Sequence, residues 1–183
     1  DQLVYTLTSL PSTGSLRLNG TLLVNGDTFT QANINARLLT YDHNDAEMFA
    51  DSFSFTVDDG SGTNTASSFS ISITPVNDNI PIITSNGGPA DATLNIAENT
   101  TAVTIVTATD ADLPTQTLTF SIVGGPDAAK FTIVSGSGVL SFAVAQNFES
   151  PADANADNVY EVIVAVSDGQ GRTSQQTIRV TMT

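Results

Sequence analysis

Apolar residues recur with a period of two along almost the whole chain, and this alternation most narrows what the chain can fold into. Leu3, Tyr5 and Leu7 alternate with polar neighbours, as do Phe53, Phe55 and Val57, then Phe69, Ile71 and Ile73. The pattern returns at Leu94 and Ile96, at Leu118, Phe120 and Ile122, and at Phe131 and Ile133. It closes with Tyr160, Val162, Val164 and Val166, then Ile178, Val180 and Met182. Successive side chains of a strand point to opposite faces, so each run specifies a strand with one apolar face. Threonine, serine and valine fill the intervening positions, as a half-buried sheet favours. Glycine-containing turns punctuate the runs, among them Asn25-Gly26-Asp27, Asp59-Gly60-Ser61-Gly62 and Asp168-Gly169-Gln170-Gly171. Many short strands with such punctuation predict β-sandwiches. At most one helical turn is expected, within residues 32–39.

An internal repeat sets the number of domains. Val57-Asp58-Asp59-Gly60-Ser61-Gly62 matches Val166-Ser167-Asp168-Gly169-Gln170-Gly171. Without a gap, Phe69, Ile71 and Ile73 then align with Ile178, Val180 and Met182. Leu3, Tyr5 and Leu7 correspond to Leu118, Phe120 and Ile122. The expected fold class is therefore all-β, with two tandem Greek-key sandwiches. The expected division is residues 1–76, a linker at 77–81 bracketed by Pro75 and Pro81, and residues 82–183. Prolines on both sides make that linker stiff. The second copy has strands in residues 94–108 for which the first has no counterpart. The sequence thus reads as a piece of a longer array. The first repeat would take its opening strands from residues outside this sequence or from a partner chain.

Charge narrows the function. Lysine and arginine total 5 against 19 aspartates and glutamates, for a formal net charge of -14. Nucleic acid is excluded as a partner, because binding it requires a basic face. So many carboxylates either keep the surface soluble or meet a hard cation. There is no cysteine, and His43 is the only histidine, so zinc or nucleophilic chemistry lacks its residues. Asp58 and Asp59 are adjacent, and on a strand they diverge rather than face each other across a cleft. No enzyme activity is expected. No apolar run approaches the roughly 20 residues of a membrane span.

The linker Asn77-Asp78-Asn79-Ile80-Pro81 resembles the Asp-x-Asn-Asp-Asn-x-Pro linker between cadherin repeats. In the second copy, Ile96-Ala97-Glu98-Asn99 resembles the first-strand glutamate motif, and Asp110-Ala111-Asp112 the Asp-Ala-Asp motif. Asn147-Phe148-Glu149 resembles Asp-Arg-Glu, and Val166-Ser167-Asp168 resembles Ala-x-Asp. The five motifs stand in cadherin order. Residues 1–79 resemble a related repeat of chondroitin sulfate proteoglycan ectodomains and bacterial surface proteins. They do so through Leu3–Gly20, Asp27–Gln31, Leu38–His43 and Asp51–Val57 followed by Asp59-Gly60.

The cadherin resemblance implies bound Ca2+, which takes 6 to 8 oxygen ligands. It assigns Asn77, Asp110, Asp112 and Asp168, with the Asn79 carbonyl, to one ion at the linker. Asp78 would be shared with further ions on the side of the first domain, giving one to three in all. Asp42, Asp45 and Glu47 fall near the place of the Asp-Arg-Glu motif in the first copy. Glu98 and Glu149 belong to the far pole of the second domain, where Asn147 replaces the usual aspartate and Asp153 and Asp157 share the loop. Asp59 belongs to the near pole of the first domain. The implied function is calcium-dependent adhesion or rigid extension in a large extracellular or cell-surface protein. The cysteine-free, threonine- and asparagine-rich composition resembles a bacterial biofilm adhesin. Partners would be other repeats of the same chain and homophilic or carbohydrate surfaces. A carbohydrate-binding module and a passive spacer are the alternatives.

Overall fold

The alternating runs become strands. The computed structural model describes residues 3–88 and 91–183, and the chain divides into two units, Asp1–Pro75 and Val76–Thr183. The first unit holds β1 (Val4–Ser9), β2 (Gly14–Leu18), β3 (Thr21–Leu22), β4 (Thr28–Thr30), α1 (Gln31–Asn35), β5 (Leu39–His43), β6 (Ala50–Asp58) and β7 (Thr65–Ser72). One sheet has the order β4-β1-β6-β7, the other β3-β2-β5. Leu7, Leu16, Leu23, Phe29 and Phe53 are buried in its core. The single helical turn starts at a reciprocal cap. Thr30 Oγ1 accepts from the Asn33 N–H at 3.2 Å, and Asn33 Oδ1 accepts from the Thr30 N–H at 2.8 Å.

The second unit holds β8 (Ile82–Ile83), β9 (Asp91–Ile96), β10 (Ala102–Ile105), β11 (Ala108–Thr109), β12 (Thr119–Gly124), β13 (Phe131–Ile133), β14 (Val139–Phe142), β15 (Val159–Ser167) and β16 (Thr173–Met182). Its sheets run β12-β15-β16-β9 and β10-β14-β13, with a small β11-β8 pair. Tyr160, Val162, Val164 and Val166 on β15 meet Ile178, Val180 and Met182 on β16 in a core that Phe120, Phe131, Leu140 and Phe142 complete.

Strand registers place equivalent residues of the two copies alike. In the first unit Tyr5 lies opposite Val57 and Phe53 opposite Phe69. In the second Phe120 lies opposite Val166 and Val162 opposite Ile178. The paired positions correspond between the two copies.

Burial differs between the copies. Ile178 is 0% exposed, whereas its counterpart Phe69 is 55% exposed. The reason lies one strand away. β16 is flanked by β15 and by β9, which runs parallel to it and sets Ala92, Leu94 and Ile96 opposite Ile178, Val180 and Met182. β7 pairs with β6 and, among the described residues, with no strand on its other side. Phe69 and Ile71 therefore line an open apolar groove with Tyr5, Phe29 and Phe53.

Two loops of the second unit reach the same end of its main sheet. Ser167 pairs with both Thr119 and Thr173, so residues 110–118 and the Asp168–Arg172 turn emerge together there. The other end is marked by Val159 opposite Thr181 and by Ile96 opposite Met182.

Candidate metal centre

At the first of these ends the segment Asn77–Asn79 is laid against two buried carboxylates. Asp112 is 2% exposed. Its Oδ1 accepts from the Asn79 N–H at 3.0 Å, from Asn79 Nδ2 at 2.7 Å and from the Asp78 N–H at 3.4 Å. Asp168 is 4% exposed. Its Oδ2 accepts from Asn77 Nδ2 at 2.9 Å, and its Oδ1 from the N–H groups of Gln170 at 2.8 Å and Arg172 at 3.1 Å. Asp110 is turned to the same place, because its Oδ1 accepts from the Asp112 N–H at 3.1 Å. That bond bends the Asp-Ala-Asp segment, whose two acids would diverge if it were extended. Asp78 is exposed and accepts from Asn79 Nδ2 at 3.2 Å.

Both buried acids stay ionised at neutral pH. Burial pushes the Asp112 carboxyl up, but the Asn79 side chain, the Asn79 and Asp78 N–H groups and the charge of Arg172 more than offset it. They hold the group below the usual carboxylate range. Burial acts on Asp168 in the same direction, and the Gln170 N–H, the Asn77 side chain and the Arg172 N–H again lower it. Ionised oxygens taken out of water require donors or a cation on every side.

Two oxygens here have no donor. Asp110 Oδ2 is buried without a hydrogen-bond partner, and so is Gln116 Oε1, whose Nε2 donates to Asn77 Oδ1 at 3.3 Å. An orphaned carboxylate oxygen beside two buried carboxylates, in a donor set made wholly of oxygen, fits a hard divalent cation such as calcium. Asp110, Asp112 and Asp168 would hold it, with Asn77 through its amide oxygen.

Asp42 Oδ2 accepts from Arg17 Nε at 2.6 Å in an exposed ion pair on β5 and β2. Asp45 is exposed with a φ of 61°, and Glu47 is half-buried in the loop between β5 and β6. Asp59 Oδ1 accepts from the Ser61 N–H at 2.9 Å within its own turn. At the opposite end of the second unit, Glu98 Oε2 accepts from the Phe148 N–H at 2.9 Å, and Asn147 Oδ1 accepts from the Glu149 N–H at 2.9 Å. Those two motifs are brought together. Asp153 is directed into its own loop, accepting from the N–H groups of Asn155, Asp157 and Asn158. Asp157 likewise accepts from Asn155 Nδ2 and the Val159 N–H. Sequence reasoning missed Gln116 and Arg172 at the linker site. A cation four residues after Asp168, in so acidic a chain, was the available signal for Arg172.

Comparison with known proteins gives the family. The family model for the cadherin domain matches residues 92–183. The chain belongs to the cadherin family. A second, cadherin-like model matches residues 1–73 of this cadherin chain. The human extracellular matrix organizing protein FRAS1 is 32% identical over 126 residues, covering 68% of the chain and 3% of that protein. Chicken cadherin-5 is 34% identical over 116 residues, covering 60% of the chain and 14% of that protein. The chain thus spans a small part of the curated relatives it matches. Among solved structures, the protocadherin gammaB7 EC3-6 cis-dimer gives a TM-score of 0.65 at 17% identity, covering 100% of this chain and 41% of that one. Human CDH23 EC21-23 gives 0.63 at 15%, covering 99% and 58%. These two show the fold. Like its relatives, the cadherin chain is an extracellular or cell-surface module. Among its described residues no helix is long and apolar enough to cross a membrane.

Proposed function

We propose that the second unit binds calcium through Asp110, Asp112, Asp168 and Asn77, and that the ion fixes the linker segment 77–79 onto the unit that follows it. The observation that carries this reading is the buried, unpartnered Asp110 Oδ2 beside two nearly inaccessible carboxylates. The chain would serve as adhesive or rigid extender repeats of a larger extracellular protein, with other repeats of the same polypeptide as first partners. The role is mechanical rather than enzymatic. A bacterial biofilm parent rests on composition alone; the relatives named above are animal proteins. The pair Glu98 and Glu149 would form a second, weaker site at the far pole of the second unit.

Calorimetric titration with calcium tests this directly. Extracellular calcium modules bind in the range of about 0.1 to 1 mM. At ten times Kd the ion adds about 1.4 kcal/mol of stability, or roughly 5 to 10 °C in Tm for a domain of this size. Asp112→Asn and Asp168→Asn are expected to abolish both the heat and the shift. Identical melting of the wild type in calcium and in chelator would leave a spacer whose acidity serves solubility.

A further inference from the structure

Asn77 is held from two sides. Its side chain donates to Asp168, and its backbone carbonyl accepts from Arg172 Nε at 3.1 Å. The loop that carries Asp168 also places Arg172. Asp168 Oδ1 accepts from the Arg172 N–H at 3.1 Å, and the Asp168 N–H donates to the Arg172 carbonyl at 3.3 Å. Gly169 and Gly171, with φ of 77° and 107°, let the loop close in that way without steric cost. One short turn thus begins with an acid of the centre and ends with a guanidinium on the linker. Cations are scarce, with five lysines and arginines in the whole chain. Arg17 is tied to Asp42, and Arg179 to Asp91 and Glu161. Arg172 instead binds a neutral carbonyl, and its charge acts on Asp112.

We infer that Arg172 is a built-in cation of the metal centre, pinning Asn77 by its carbonyl while its charge lowers the affinity for a divalent ion. This rests on the calcium reading above. The two actions have different requirements. The pin requires a donor with the reach and fork of a guanidinium, whereas the charge effect requires only a positive group. For a unit charge about 8 Å from a divalent ion in watery surroundings, the Coulomb energy corresponds to about a fivefold change in affinity. Salt screens that part, the Debye length being about 8 Å at physiological ionic strength.

The experiment uses the full chain with Arg172→Met and Arg172→Lys. Calcium affinity is measured by calorimetry at low and high salt, and Tm is measured in chelator. Arg172→Met is expected to bind calcium about fivefold tighter at low salt, with the gap narrowing at high salt. It is also expected to melt several degrees lower in chelator, because the Asn77 carbonyl has lost its donor. Arg172→Lys keeps the wild-type affinity and shares the lower chelator Tm. Equal or weaker calcium binding by Arg172→Met, or chelator melting identical to wild type, overturns the inference while leaving the calcium reading intact. A wild type without measurable calcium binding overturns both.

Discussion

Asp51 shows how a single side chain escapes a sequence pattern and still organises a domain. It lies on β6 in phase with Phe53, on the inward face, and is 7% exposed. Its Oδ1 accepts from the N–H groups of Ser12 at 2.9 Å and Ser52 at 2.8 Å. Its Oδ2 accepts from the Thr13 N–H at 3.1 Å and from the Tyr41 hydroxyl at 3.0 Å. Burial pushes the carboxyl up, but the Ser12, Thr13 and Ser52 N–H groups and Tyr41 together drive it far below the usual range. A folded-state pKa below the unfolded value means that this stabilisation is present above about pH 3.9 and is lost as pH falls through the folded value. Asp51→Asn keeps one acceptor oxygen of two and is expected to lose at least about 2 kcal/mol at pH 7. Denaturant unfolding from pH 7 to 2 should show the gap to wild type narrowing below about pH 3.9, as the unfolded carboxyl takes up a proton that the folded one does not. A gap independent of pH would assign the loss to shape rather than charge. An acid in phase with apolar alternation was the legible signal, but Ser12, Thr13 and Tyr41 reach it only through the fold.

Among the elements, β7 and β16 carry the same sequence pattern and different energetic weight. Phe53 on β6 is 5% exposed and Phe69 on β7 is 55% exposed, with their rings stacked at 5.4 Å. Phe53→Ala is expected to destabilise the first unit by about 3 to 5 kcal/mol. Phe69→Ala, losing mainly one ring contact, should lose about 1 kcal/mol or less. Equal losses would mean that the groove beside β7 is filled in solution. The alternation made strand identity, pairing and register legible, because period two and the repeat fix which residues face each other. It could not give the exposure of Phe69, which depends on whether a third strand lies alongside, as β9 does for Ile178. The same division holds at the metal centre. Asp110, Asp112, Asp168 and Asn77 were readable from motif order. Gln116 and Arg172 contribute through one hydrogen bond each to Asn77 and carry no motif.

For the whole molecule, the two units have separate cores, of which the second is the larger. The net charge of -14 adds self-repulsion that salt relieves and that calcium at the proposed site would relieve more specifically. The residues proposed above to hold the ion, Asn77, Asp110, Asp112 and Asp168, all fall within Val76–Thr183. Ligand linkage stabilises only the cooperative unit that binds, since the ion must favour its folded form over its unfolded one. Separate cores without a shared cooperative transition should unfold in distinct steps. Scanning calorimetry of the full chain is therefore expected to show two transitions, with millimolar calcium raising the one that reports the second unit. Asp51→Asn should lower the other, and the pair of perturbations labels each transition independently. If calcium raised both transitions together, or fused them into one, the ion would be coupling the units, and binding energy located at Asp112 and Asp168 would be stabilising the core around Phe53 as well.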